Sequence, residues 1–517
     1  MSWKRLSLAL LLVTLLYELS PVPSLASSSV SSKSGEGDGP GQAGPADVTT
    51  QAAQGRTFEY FFPCVAFSNS GCDHMIDQGI AVADARRGYS NVEPGDTVCI
   101  VAGNRGSLVL RNFRGTPEAP ITFINYGGQV VIDSQSWVGI LVQNSQFFRL
   151  SGSGTGGVPY GIKVAASTNL GVAIMYKSTD FEIDHIEVTG VEGAGIGAKT
   201  KAVCSDGSAN DFDYDGDGIV VGDPDDVVNR SNFTQFNSVF HDNYIHHVGA
   251  EGFYVGSSFY DGRETMCSGG VETTYDPVLK GVSIYGNVVT DTGWDAVQVG
   301  SAPEHCDIHH NRVVRDSQAA REYQQGGISN NRGSACNIYS NFIQDGGGPG
   351  IYVQGDGGNR IYNNVITNVG RNSALGHNGG DGIVICGGSD PIDVLHNTIV
   401  TPRNYGIRFS NCKWSDRIQN NIIVSPGNYG IDGDIAYIRV RSTSVIMTNN
   451  LKTQTMADVK FTDPASGDFS IRPGSPAVDA GADPGAGAVT TDCSGILRPQ
   501  GSGYDVGAYE LALLLRP

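Results

Sequence analysis

"VSIYGNVVTDTGWDAVQVG", residues 282–300, decides the fold. Apolar and polar residues alternate within three short runs, broken at Gly286-Asn287 and again around Thr292–Trp294. A period of two is the signature of strands, because successive side chains point to opposite faces. Three strands of three to five residues cannot bury their faces alone. They need copies of themselves above and below.

Those copies are in the chain. Asn followed by two residues ending in Ile or Val recurs as "NYI" at 243, "NVV" at 287, "NRV" at 311, "NFI" at 341, "NVI" at 364, "NTI" at 397 and "NII" at 421. Successive spacings are 44, 24, 30, 23, 33 and 24 residues, a base period near 24 lengthened by insertions. A second element, small–apolar–x–apolar, accompanies it: "DGIVVG" (217–222), "EGFYVG" (251–256), "DAVQVG" (295–300), "GIYVQG" (350–355) and "DGIVIC" (381–386). Internal repetition at this period marks a stacked solenoid. The 70 glycines among 517 residues fit a chain that turns at every rung, with no collagen period. In such a stack the recurrent Asn is expected to tolerate a left-handed turn and to bond to its equivalent one rung away, a scaffold role.

Together, the "N-x-I/V" and "G-I-x-V" repeats over residues 92–455 resemble the right-handed parallel β-helix family of pectate-lyase-like proteins. "DPASGDFSIRPGSPAVDAGAD" and "RPQGSGYDVGAYE", within 456–517, resemble the closing segment of secreted bacterial β-helix proteins. The resemblance implies an all-β, right-handed parallel β-helix solenoid with a short N-terminal cap, acting on polysaccharides. The cap is expected within 56–91, with a short helix at Ala81–Ala85.

The N-terminal segment reads as an export signal. Lys4 and Arg5 precede an apolar run from Leu6 to Leu16, and Ser24-Leu25-Ala26 offers a small-x-small cleavage pattern, so residues 1–26 are expected to be removed and the protein secreted. The run is too short for a comfortable membrane span. Residues 27–55, rich in Ser, Gly, Ala and Pro, read as a linker. A net charge of −19 excludes a general nucleic-acid binder. Export favours disulfides among the ten cysteines. Cys306 with Cys336, Cys386 with Cys412 and Cys64 with Cys72 are the expected pairs, and the protein is expected to be a monomer.

The chemistry is expected on the outward side of the second element. Reading one rung per repeat places Asp217, Glu251 and Asp295 in a line, each just before its small residue, with Tyr254, Trp294, Gln298, Tyr352 and Gln354 as substrate-binding candidates. Asp before Gly is a good turn former, which suffices for Asp381; Glu is a poor one, so Glu251 calls for another explanation. Rungs about 4.8 Å apart would force neighbouring carboxylates together and raise one pKa unless a cation intervenes. Two chemistries follow. Paired carboxylates hydrolyse glycosidic bonds without a cofactor, with Glu251 and Asp295 as the pair and Asp217 assisting. Alternatively Asp217, Glu251 and Asp295 hold Ca²⁺, and Lys199 is the base of a lyase acting on a uronic-acid polymer. "DFDYDGDG" (211–218) also resembles a calcium loop faintly. A non-catalytic carbohydrate-binding adhesin is the third reading.

Overall fold

The computed structural model describes residues 71–512 except 209–225, 356, 388–390, 410–415, 428–436, 441–444 and 486–488. Within them the repeats form a parallel β-helix. Each coil contributes one strand to a 12-stranded sheet and two strands to a 23-stranded sheet that bends around the other two faces. In the coil read first above, these strands are Leu279–Tyr285, Val288–Thr292 and Val297–Gly300. Each pairs in parallel with its counterpart one coil away, Val282 opposite Cys306, Val289 opposite Val313 and Gln298 opposite Ser329.

Inward positions of all three faces meet in one continuous core of Ile, Val and Phe, including Phe240, Ile284, Val289 and Val297, each fully buried. The small residue that opens the second element packs against the core of the neighbouring face. A Cβ at Gly252 would stand 2.5 Å from Val289 Cγ1 and from the Ala296 carbonyl oxygen, which leaves little room for a larger side chain.

The recurrent asparagines form a buried ladder. Asn311 Oδ1 accepts from Asn287 N (3.1 Å) and Asn287 Nδ2 (3.0 Å), and Asn341 Oδ1 does the same for Asn311, the pattern running from Asn243 to Asn450. The left-handed conformation falls on the residue before each of them, as at Asp242, Gly286, His310, Ser340 and Asn363. The asparagine itself is therefore retained for its amide, which satisfies backbone groups of both neighbouring rungs, and the turn strain is carried by its predecessor.

The solenoid begins earlier than the repeats suggested. Val82–Asp84 is a strand paired with Leu108–Arg111, so Ala81–Ala85 is not a helix; its alternating small residues fit a half-buried strand as well as a helical turn. His74–Ile76 likewise pairs with Val98–Ile100. That register brings Cys72 to Cys99, and the two form a disulfide in place of the expected link to Cys64, which lies outside the described residues. Cys306 is bonded to Cys336, directly opposite it in register. Cys204 is bonded to Cys267. Cys386 is a free thiol, contrary to expectation, and Cys412 lies outside the described residues.

At the C-terminal end, Phe461, Phe469, Ile471, Val506 and Ala508 pack on Val365, Val400, Ile422 and Val424. The closing segment thus lies along an outer face of the last coils. Among the described residues no helix is long and apolar enough to cross a membrane.

Candidate active site

Glu251 lies two residues before the strand Phe253–Gly256, and Asp295 two residues before Val297–Gly300. The two strands are neighbours in the 12-stranded sheet, and Gly252 N donates to the Asp295 carbonyl oxygen at 3.0 Å. Both acids therefore occupy the same turn of adjacent coils. Glu251 is 3% exposed and Asp295 1%.

No third rung separates them from the strand upstream. Ile196–Ala198 pairs directly with Phe253–Val255, and among the described residues the acids at this turn of adjacent coils are the pair Glu251 and Asp295. Asp217 and the 211–218 stretch lie outside the described residues.

What surrounds the pair comes from a loop that the repeats do not predict. Three acceptors converge on one end of the Gln324 amide and assign its nitrogen there: Gln298 Oε1 at 2.7 Å, Glu251 Oε1 at 2.9 Å and Asp295 Oδ2 at 3.3 Å. One atom within 3.3 Å of both carboxylates sets their facing oxygens on either side of a single hydrogen-bond donor. Ser329, one rung further on, donates to Asp295 Oδ1 at 2.6 Å. Asp316, fully enclosed in the preceding turn, bonds Ser317 Oγ through Oδ1 (2.7 Å), and its Oδ2 has no hydrogen-bond partner.

Burial dominates the electrostatics. It raises the Glu251 pKa to about 7, with Lys199 and Arg321 pulling the other way. Asp295 is raised well above the carboxylate range by burial, against the Ser329 hydrogen bond and reinforced by the charges of Glu251 and Asp316. Burial also lifts Asp316 to about 7. Asp381, at the equivalent turn further along, makes the contrast: its carboxylate binds Arg408 Nε at 2.6 Å and accepts from Tyr405 N at 3.0 Å. That acid is paired with a cation on the next coil.

The raised values give stability a pH dependence of definite sign. Between the ordinary value of 4.5 and about 7, folded Glu251 holds a proton that the unfolded chain has released. Stability contributed this way is complete below 4.5 and is lost as pH rises through 7. Thermal unfolding midpoints are expected to fall between about pH 5 and pH 8, and Glu251→Gln should flatten that slope. An unchanged slope in the variant would show that Glu251 ionises normally.

The remaining candidates lie around this centre. Lys199 Nζ sits 3.7 Å over the Tyr254 ring. Tyr254, Gln298, Ser329 and Tyr352 form one outward column in register. Gln298 Nε2 and Asn331 Nδ2 both donate to Ser258 Oγ at 3.1 Å, and Tyr254 Oη lies 3.5 Å from it. Trp294 is half-buried with the Arg321 guanidinium 5.2 Å from its ring centre, and Gln354 is half-buried just beyond Tyr352. Gln324, Asp316 and Ser258 are additions that the repeat pattern does not disclose.

Residues 269–434 match a family model described as "Right handed beta helix region", in agreement with the parallel coils and giving them their hand. No curated protein matches the chain. Among solved structures the chain is similar to pectate lyase Pel9A, at 12% identity over 86% of this chain and 97% of that one, with a TM-score of 0.42. It is also similar to the GH136 lacto-N-biosidase from Eubacterium ramulus (11% identity, 74% of this chain, 68% of that one, TM-score 0.43). A third is a PL6 family polysaccharide lyase from Pseudopedobacter saltans (14% identity, 77% and 96%, TM-score 0.42).

Proposed function

We propose that this right-handed parallel β-helix protein is a secreted enzyme that hydrolyses glycosidic bonds of a polysaccharide, with Glu251 and Asp295 as its carboxylate pair. One observation carries the reading: two buried carboxylates at the same turn of adjacent coils, within reach of a single nitrogen. A close pair suits hydrolysis with retention, through a covalent glycosyl intermediate.

Their environments divide the roles. Lys199 and Arg321 favour the ionised form of Glu251, while Glu251 and Asp316 favour the protonated form of Asp295. Asp295 donates its proton to the departing glycosidic oxygen as Glu251 attacks the anomeric carbon. Water then displaces Glu251, giving its proton to Asp295 and its hydroxyl to the sugar. Gln324 occupies the point between the acids, so substrate entry requires the 318–325 segment to withdraw from it. Tyr254 and Trp294 offer ring faces to sugars. The three disulfides among the described residues fit an oxidising, extracellular setting.

Asp316 acts in this scheme as a positioning residue. Asp316→Asn removes a charge that raises Asp295, so the basic limb of the kcat/KM profile should move to lower pH with the acidic limb in place. A merely structural role for Asp316 would lower the whole profile without moving that limb.

A second reading rests on the same convergence. Glu251 Oε1, Asp295 Oδ2 and Gln298 Oε1 surround one point, the kind of oxygen donor set that Ca²⁺ takes. There these three side chains would hold the ion, with Gln324 turning its carbonyl inward, and a bound Ca²⁺ would neutralise a uronate carboxylate. Lys199 would then be the base. Incubating the protein with neutral and uronic-acid polysaccharides, with and without chelator, separates the readings. Chelator-resistant reducing ends without an unsaturated chromophore are expected; a chelator-sensitive chromophore would establish the lyase, and binding without products the adhesin.

A further inference from the structure

The outer face of the 12-stranded sheet changes character at the acid pair. Upstream, its outward residues are apolar and covered: Leu141, Ala173 and Met175 are buried in a satellite cluster beneath Val203 and Val228, and Tyr254 packs at its edge. The covering segments are firmly held. Val203 N donates to the Val228 carbonyl oxygen at 3.0 Å, and Cys204 is bonded to Cys267 on the Arg263–Cys267 and Gly270–Thr274 hairpin. Buried Asp276 gathers Ala202 N (2.7 Å), Ser257 Oγ (2.7 Å) and Arg263 Nη2 (3.0 Å), tying this wall to the strand that follows Glu251.

Downstream the same column reads Gln298, Ser329, Tyr352, Val384, Arg408 and Arg439, polar but for Val384. A polysaccharide lying along the solenoid therefore has a polar track on one side of the acids and a disulfide-pinned wall on the other. The wall begins at the rung of Ile196–Ala198 and Lys199, one rung, ~4.8 Å, upstream of Glu251, and Tyr254 on Glu251's own rung packs against its edge. That distance leaves room for a terminal unit and none for a continuing chain.

We infer that the enzyme works from a chain end, with its terminal sugar against the wall built by residues 200–208 and 226–233, and releases a short fragment of fixed length. The inference rests on the proposed hydrolysis at Glu251 and Asp295 and adds its mode of action. Walls of this kind set specificity by exclusion: a chain that continues past the cleavage point clashes with them.

The test uses the full-length protein and a polysaccharide it degrades. One short product of constant size from the first minutes, with the viscosity of the polymer falling slowly, is the expected result. A ladder of intermediate lengths with a rapid fall in viscosity would overturn chain-end action and leave the hydrolase reading standing. Oligosaccharides blocked at the reducing or at the non-reducing end sharpen it: one of the two caps should abolish release and the other leave it intact. Cleavage of both capped series overturns the inference. If no polysaccharide yields product, both the hydrolase reading and this inference fall.

Discussion

Glu251→Gln is expected to lower turnover by about 10²–10⁴-fold, the usual contribution of a positioned acid or base, and Asp295→Asn by a similar factor. The substitutions keep the shape of each side chain and remove its ability to exchange a proton or attack carbon. Both positions are buried, and burial favours the uncharged form of each acid, so the neutral amides should fold well. In Glu251→Gln a buried group ceases to ionise, and the variant is expected to be at least as stable as the parent near pH 8. Steady-state assays with thermal unfolding on the same preparations check both statements. Full activity in Glu251→Gln would remove this pair from the chemistry.

Asn311→Ala is expected to have the largest effect on stability, about 3 kcal/mol or more in chemical unfolding. Its amide accepts from Asn287 N and donates to the Ile284 carbonyl oxygen at 2.8 Å, all within the buried ladder. Alanine deprives each of a partner where no water replaces it, and a buried polar group left unmatched costs about 1–3 kcal/mol. Loss of the bond to Asn341 adds to this. Arg332→Ala is the comparison: its ion pair with Asp261, 2.6 Å apart, joins two side chains that are more than half exposed. An exposed pair of this kind contributes less than about 1 kcal/mol. Equal losses in the two variants would mean that the ladder is ornamental.

These two cases also mark what could be read in the chain beforehand. The ladder was legible because a stacked coil repeats its turn chemistry at a fixed period, and Asn311 recurs where the period requires it. Glu251 was legible for the opposite reason: glutamate is a poor choice for a turn, so local structure does not account for it. Asp217 shows the limit of the same logic. Its "DGIVVG" has the composition of a strand and counts as a rung in the sequence, yet the strands before and after it, Ile196–Ala198 and Phe253–Val255, meet directly.

The loop contributions were out of reach for a physical reason. Gln324 and Asp316 belong to a connection between Arg312–Val314 and Ile328–Asn330, where no periodic pattern constrains side-chain direction. Its length was the available signal, since long connections on a rigid scaffold carry function. Cys72 failed similarly: nearness in sequence pointed to Cys64, whereas an unrecognised strand at His74–Ile76 lies beside Val98–Ile100 and brings Cys72 within bonding reach of Cys99.

The central claim is that Glu251 and Asp295 form a close pair that cleaves glycosidic bonds with retention. Proton NMR of the first sugars released, recorded before they mutarotate, tests it most directly. The account predicts that the new reducing end carries the anomeric configuration of the bond that was cut, with no unsaturated sugar at the other end. An inverted anomer, or an unsaturated product that persists in Asp295→Asn, would contradict it.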